Sequence, residues 1–469
     1  MPETKKPETE RKYEMKTTTS LKLIAILNLA FAILHSHGAV IEQVIVRQQW
    51  PWSTDVKVEY KISGVTSPVN IGVRAFNGNE ELDSSRLEAS ITGDRFGISK
   101  DGVGSFVIDP VKAFGTASVA LANFKVKLSL SEAAANINEV IYKVFDLATG
   151  TRQDITRADF YNGKVEDGEF VTDYTLLHSR FLAPSSEMVG DVFIWTGVTN
   201  SVKYKTTHLV MRKIPAANKV WRMGGLPNET GYRSATETNH LVKLTKDYYI
   251  GVFEITQKQY TLLVGNNPST GTSAEDADIR PANKVQYGRE TADNNNTAWQ
   301  AVKKIRTKTG NSSFCLPTSA QWEFACRAGS TAGLYSGRTI SSGGLWSGND
   351  GDVTILGWFV GNASSAIHAV GLKLPNAFGL YDTLGNVWEW TQDKYTENDA
   401  YVATFGAGWQ PSDVVVDPLD TSADSKLVGR GGAYDSYGAY VRCAVRFSLD
   451  NWTSGANYGM RMALMDDAE

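Results

Sequence analysis

The chain has 469 residues, which is enough for about three domains of average size. Hydrophobic residues make up 42% and charged residues 21%, and 42 glycines outnumber 14 prolines, a composition typical of a globular, loop-rich protein rather than a disordered or fibrous one. Because 47 basic residues are outweighed by 51 acidic ones, the net charge of -4 offers no basic surface for a phosphate backbone and argues against a nucleic-acid partner.

The N-terminal segment has the pattern of a secretory signal peptide. An apolar run at residues 23–34 follows Lys22 and ends near the small residues Gly38 and Ala39. The run is about a dozen residues long, shorter than the ~20 residues that span a bilayer as a helix. We therefore expect residues 1–39 to be an extension and cleaved signal, and the mature chain to be secreted, periplasmic or at the cell surface without a transmembrane segment. A buried N-terminal helix is the alternative.

Short bursts of alternating polar and apolar residues predict strands throughout residues 40–215. Residues 56–62 and 124–130 alternate with a period of two, the pattern of half-buried antiparallel strands. Two later bursts, at 191–197 and 207–212, predict a second small sheet that closes the region. We expect an all-β, sandwich-type region of one or two modules. It is interpreted either as an adhesive or spacer module or as a structural β-domain without an independent role.

The pattern changes to mixed strands and helices from residue 216 onwards. Residues 245–255 predict a strand, and Thr256 is placed to cap a short helix that follows it. Two further helices are predicted, one over residues 297–309 and one from a capping box at 318 to about residue 327. Residues 216–469 are therefore predicted to form a separate α+β domain.

Five short motifs follow one another in this second half of the chain. They are LPTSAQWEFACRAG (residues 316–329), PNAFGLYD (375–382), GNVWEW (385–390), RGG (430–432) and GMR (459–461). In this order and spacing they resemble the formylglycine-generating-enzyme family, or sulfatase-modifying factors. The resemblance implies a C-type-lectin-like α+β fold with little regular structure, held by tryptophan-rich loops and calcium. Cys315, Tyr434 and Met460 are among the departures from the family pattern.

The resemblance implies a structural calcium ion at the loop that carries GNVWEW. Family members ligate calcium at four positions, which in this chain are Asp382, Gly385, Val387 and Glu389. Two carboxylates and two backbone carbonyls are oxygen ligands of the kind that calcium prefers. The alternative is that Glu389 bonds to backbone groups while Trp388 and Trp390 fill the core.

The cysteines separate this chain from the enzymes that it resembles. Those enzymes oxidise a target cysteine with copper(I) held by two thiolates, in the interval that corresponds to residues 433–441. Here the interval contains no cysteine, and the second catalytic position falls on Gly438. We therefore expect no copper, no catalytic residues and no formylglycine synthesis. The structural disulfide bond of the family is matched by Cys326 and Cys443, which leaves Cys315 alone.

The loops of residues 433–458 combine aromatic side chains with small polar ones. This composition is typical of recognition loops, because a ring gives a large contact area at little entropic cost. The predicted ligand-binding face consists of Tyr434, Asp435, Ser436, Tyr437, Tyr440, Asp450, Asn451, Trp452, Asn457 and Tyr458. The loops also resemble the variable region of retroelement-diversified proteins. Ordinary family loops rich in Tyr and Asn are the alternative.

Together these features favour an exported, non-catalytic protein that binds an unknown protein, peptide or glycan ligand. Two other interpretations stay open: an oxidoreductase of altered chemistry that uses the same pocket, and a display protein with a hypervariable face. A dyad of Asp435 and Ser436 is a further candidate for catalysis, although adjacent polar side chains in loops usually cap turns.

Overall fold

The structure, a computed structural model, describes most of the chain beyond the N-terminal segment. The described residues are 39–48, 55–115, 121, 123–132, 139–156, 202–233, 236–290, 296–347, 350–376, 378–396, 410, 412–422 and 426–466. The expected signal segment at 23–34 and the expected strand at 191–197 lie outside them. In the part of the chain so described, no helix combines the length and hydrophobicity needed to cross a membrane.

Two antiparallel sheets share one hydrophobic core between residues 39 and 132. The first has the order β1-β2-β6-β5 and the second the order β4-β3-β7. The strands are β1 (Val40–Gln48), β2 (Val56–Ser63), β3 (Val69–Asn77), β4 (Glu80–Glu81), β5 (Ile91–Gly93), β6 (Gly102–Ile108) and β7 (Lys125–Glu132). Two short helices accompany them, α1 (Ser84–Ala89) and α2 (Pro110–Phe114). Alternate residues of β2 are buried, as its sequence period predicts.

A six-stranded sheet is the centre of the remaining fold, with the order β14-β20-β13-β10-β8-β9. Its strands are β8 (Val140–Asp146), β9 (Arg152–Thr156), β10 (His208–Ile214), β13 (Tyr248–Gly251), β14 (Phe314–Cys315) and β20 (Ala463–Met465). Three of these strands precede residue 216 and the other three follow it, so one hydrogen-bonded sheet spans the predicted domain boundary. The expectation that residues 207–212 help to close a separate small sheet is therefore wrong. β10 is a central strand, because β8 and β13 pair with its two edges, and its side chains enter cores on both faces of the sheet.

Two smaller mixed sheets complete the strand layout. One has the order β11-β12-β16 and the other the order β18-β17-β15-β19, and each contains one parallel pair. The strands are β11 (Val220–Met223), β12 (His240–Lys243), β15 (Trp388–Lys394), β16 (Val414–Val416), β17 (Lys426–Arg430), β18 (Phe447–Asp450) and β19 (Tyr458–Gly459). The second sheet brings the GNVWEW segment in β15 beside the C-terminal loops.

The three helices that the sequence predicts begin at the expected residues, and the described residues form other short helices that it does not predict. After α2, the described helices are α3 (Lys203–Thr206), α4 (Gln257–Val264), α5 (Ala298–Thr309), α6 (Ser319–Arg327), α7 (Gly344–Ser347) and α8 (Gly351–Leu356), with 3-10 turns at Ala277–Ile279 and Gly438–Tyr440. Thr256 and Thr318 each close a capping box, which confirms the predicted starts of α4 and α6. The strand expected over residues 245–255 is limited to β13.

Buried arginine–carboxylate pairs join the loops between these elements. The pairs are Arg430 with Glu323 (3.0 Å), Arg442 with Glu229 (2.7 Å) and Arg461 with Glu389 (2.7 Å). Each pair joins groups more than 70 residues apart in the chain, so each fixes one loop against another. The loops that lack regular backbone pairing are therefore held largely by buried side chains.

Candidate functional site

The GNVWEW loop is held in one conformation by its backbone and by Glu254. Gly385 has a φ of 86°, and a Cβ on it would lie 2.0 Å from the carbonyl oxygen of Trp358, so only glycine fits. Asn386 donates from its side-chain amide to Glu254 at 2.7 Å, and the backbone N–H of Val387 donates to the same carboxylate at 3.1 Å. The loop therefore packs around a fully buried acidic group.

Glu389 of this loop is paired with Arg461 rather than with backbone groups. The Nε and Nη2 atoms of Arg461 donate to Glu389 Oε1 at 3.0 and 2.7 Å. Trp322 donates from Nε1 to Glu389 Oε2 at 2.6 Å. Trp388 and Trp390 are buried in the core on either side of it. Both carboxylate oxygens of Glu389 are thus engaged by protein donors.

Asp382 has one satisfied and one unsatisfied carboxylate oxygen. Its Oδ2 atom accepts from the backbone N–H of Gly371 at 2.7 Å, whereas the buried Oδ1 atom has no hydrogen-bond partner. Burial raises the pKa of Asp382 to about 6. Burial, reinforced by the negative charges of Asp382 and Glu389, raises the pKa of Glu254 well above its usual range. The three carboxylates therefore share one poorly solvated region.

Two lysines approach Asp382 from different parts of the chain. Lys205, on α3, is 9% exposed, and burial lowers its pKa while the charge of Asp382 opposes that shift. Lys373 places its ammonium 3.7 Å from the centre of the Trp358 ring, and burial lowers its pKa to about 8. We call Glu254, Asp382, Glu389, Arg461, Lys205 and Lys373 the buried charge cluster. It contains three carboxylates and three cationic side chains.

Gly438 leaves no room for the thiol that the resemblance places there in the enzymes. It opens a 3-10 turn that packs on α7, and a Cβ on it would lie 2.8 Å from the carbonyl oxygen of Gly344. Among the three cysteines of the chain, Cys326 and Cys443 have their sulfur atoms 3.5 Å apart in a buried cluster. Their disulfide bond stays a prediction. Cys315 is buried in β14, and burial raises its pKa to about 12.

The predicted ligand-binding face is brought together from two loops. Asn457 donates from its side-chain amide to both carboxylate oxygens of Asp435, each at 3.0 Å, which joins the loops of residues 433–440 and 450–458. Tyr437 and Trp452 are 44% and 55% exposed. Asn451 is buried, so it lies beneath this face rather than on it.

The comparisons with known proteins agree on the family. The model of the sulfatase-modifying factor enzyme 1-like domain matches residues 209–465, more than half of the chain. The chain belongs to this family.

Relatives in the sulfatase-modifying factor family differ widely in name. The chaperone protein LppX of Paenibacillus barcinonensis is 29% identical over 205 residues, which cover 35% of this chain and 70% of LppX. The formylglycine-generating enzyme of Mus musculus is 32% identical over 162 residues, 32% of this chain and 38% of the enzyme. This chain therefore matches less than half of that enzyme. Among solved structures, Treponema denticola variable protein 1 is 22% identical, with 55% of this chain and 95% of that chain covered and a TM-score of 0.43.

The calcium ligands implied by the sulfatase-modifying factor family lie beside cationic side chains in this chain. The unpartnered Oδ1 atom of Asp382 is a suitable ligand, but both oxygens of Glu389 are taken by Arg461 and Trp322. A divalent cation would add two positive charges to a region that already holds the cationic side chains of Arg461, Lys205 and Lys373. As a set, these groups do not fit calcium. Among the described residues, no three His, Cys, Asp or Glu side chains form a metal-binding group.

Two residues beside the predicted ligand-binding face, exposed Trp346 and partly buried Arg233, were not found by sequence reasoning. Trp346, on α7, is 58% exposed, and its ring centre lies 6.0 Å from that of Tyr437 and 5.9 Å from that of Tyr440. The guanidinium of Arg233 lies 4.2 Å from the centre of the Tyr440 ring. A single tryptophan within the Ser- and Gly-rich residues 341–348 was the available signal for Trp346. We call Trp346, Tyr437 and Tyr440 the exposed aromatic cluster.

Ser436 has a structural contact that explains its place beside Asp435. The backbone N–H of Ala433 donates to Ser436 Oγ at 3.0 Å, whereas Asp435 is bonded to Asn457. Ser436 thus caps a turn, in agreement with the ordinary role of such residues. The two side chains have separate partners and do not form a catalytic dyad.

Proposed function

We propose that this member of the sulfatase-modifying factor family binds a ligand through its C-terminal face and does not synthesise formylglycine. The observation that carries the proposal is Gly438, which stands at the second catalytic position and packs its backbone against Gly344. A cysteine side chain there would collide with a backbone carbonyl. The interval of residues 433–441 therefore lacks the cysteines that the resemblance implies for a copper(I) site, and Gly438 has no space for one of them.

The exposed aromatic cluster supplies the contact area for binding. Its rings are held edge to face, and Tyr440 also packs against Phe447 at 5.8 Å between ring centres. Arg233 fixes Tyr440 from the other side. Rings that are already ordered lose little conformational entropy when a ligand covers them. The polar pair of Asp435 and Asn457 joins the loop of Tyr437 and Tyr440 to the loop of residues 450–458 and supplies hydrogen-bonding groups.

Probing an array of glycans and peptides with the purified chain tests this proposal. We expect binding to at least one class of ligand, and Trp346→Ala to weaken it by about tenfold or more, as removal of an exposed aromatic anchor does. Leu372→Ala is the matched control, because Leu372 is equally exposed but is not part of the exposed aromatic cluster. Equal loss in both variants, or no effect of Trp346→Ala on a bound ligand, would reject the aromatic cluster as the binding site.

Copper(I) titration with a cysteine-containing peptide separates binding from the oxidoreductase alternative. We expect no stoichiometric copper uptake, no oxygen consumption and no aldehyde on the peptide. Detection of the aldehyde product would refute the non-catalytic proposal. Export is a second proposal, supported by the apolar run at residues 23–34, and N-terminal sequencing of the mature chain tests it.

A further inference from the structure

Two buried charged groups of opposite sign, Asp382 and Lys205, are only partly compensated by direct partners. The Oδ1 atom of Asp382 accepts no hydrogen bond. Among the described residues, no carboxylate lies within ion-pair distance of the Lys205 ammonium, although Asp382 is the charge that most favours its protonated form. Burying either charge alone costs free energy, and burying the two charges in one region lowers that cost because they attract each other.

The backbone of the chain fixes Lys205 at this place. Its carbonyl oxygen accepts from Thr256 Oγ1 at 2.8 Å, and the carbonyl of Tyr204 accepts from Gln259 Nε2 at 3.3 Å. Thr256 and Gln259 are the two residues of the α4 capping box. α3 is therefore attached directly to the start of α4, with the lysine side chain directed past Phe253.

The position of Gly371 shows how near Lys205 comes to Asp382. A Cβ on Gly371 would lie 3.2 Å from the Lys205 Nζ atom, and the backbone N–H of the same glycine donates to Asp382 at 2.7 Å. Lys373 is less suited to balance Asp382, because its ammonium already donates to the carbonyl of Thr354 at 2.7 Å and lies on the Trp358 ring.

We propose that Lys205 is an internal cation that takes the place of calcium beside Asp382. Residues 203–206 precede the family match, which begins at residue 209, so this cation comes from the part of the chain that the family domain does not include. The ammonium supplies positive charge to the Asp382 carboxylate, and its presence repels a divalent ion from the same oxygen. The loop is thereby stabilised without a metal.

Thermal unfolding of the full chain with excess calcium and with excess chelator tests the proposal, together with terbium luminescence as a direct probe of the site. The unmodified chain is expected to unfold at the same temperature in both conditions and to give no terbium signal. In Lys205→Met, we expect calcium affinity to rise by at least about tenfold, because one repelling charge is removed, and the unfolding temperature to rise with calcium.

Two further variants locate the effect. Lys203→Met changes another lysine of α3 and is expected to behave as the unmodified chain does. Adding Asp382→Asn to Lys205→Met is expected to abolish the gain in calcium response. A calcium-dependent unfolding temperature or a terbium signal in the unmodified chain would overturn the proposal. So would a Lys205→Met chain that stays indifferent to calcium, or one that does not fold even when calcium is present.

Discussion

Removing Arg461 tests how much the buried charge cluster contributes to stability. Its guanidinium donates to Glu389 and to the carbonyl oxygens of Gly251, Val252 and Tyr381 at 2.8 to 3.0 Å. In Arg461→Met these carbonyls lose a donor, and the Glu389 carboxylate keeps only Trp322. Leaving one partner of a buried ion pair uncompensated costs about 3–5 kcal/mol. We therefore expect the free energy of unfolding to fall by about that amount.

Urea denaturation followed by tryptophan fluorescence measures this loss. Glu389→Gln in the Arg461→Met background removes the uncompensated charge and should restore part of the lost stability, which a double-mutant cycle quantifies. A decrease in the free energy of unfolding of less than about 1 kcal/mol in Arg461→Met, the range of an exposed ion pair, would refute the reasoning. A double variant that is no more stable than Arg461→Met alone would refute it as well.

Three other results are expected. If the chain is exported, mass spectrometry of maleimide-labelled, unfolded protein should find one free thiol rather than three, because Cys326 and Cys443 are predicted to form a disulfide bond. Three labels would contradict that prediction. The Gly438→Cys variant should have no oxidase activity, and crowding of the new side chain should lower its free energy of unfolding by about 1–3 kcal/mol, as measured by urea denaturation. A gain of oxidase activity would contradict this expectation. Burial lowers the pKa of His240, so the unfolded chain binds the proton more tightly. Stability should therefore fall as pH drops below about 6.5, at up to about 1.4 kcal/mol per unit, and His240→Gln should lack this contribution.

Local signals in the sequence were sufficient for the three longest helices and for the family motifs. Thr256 and Thr318 sit three residues before Gln259 and Gln321, and both capping boxes are present. The alternation of β2 likewise follows from its own residues. Such features depend on neighbours a few positions away, which a single sequence displays directly.

Contacts between distant residues could not be read in the same way. The apolar residues of β10 indicate a strand, but only the fold shows that strands from both sides in the sequence pair with it, which makes it central to the six-stranded sheet. Glu389 has no sequence neighbour that indicates Arg461 as its partner, and nothing in residues 203–206 indicates that Lys205 lies near Asp382. Pairings of this kind are set by topology rather than by local pattern.

The strand β20 has a consequence for synthesis of the chain. It comes from residues 463–465 but lies between β13 and β14, which are made more than 140 residues earlier. While the ribosome is still adding residues after β14, the edge of β13 has no partner and exposes its backbone groups. Closure of the sheet must therefore wait until residues 463–465 have been translated, and the nascent polypeptide needs protection from association until then.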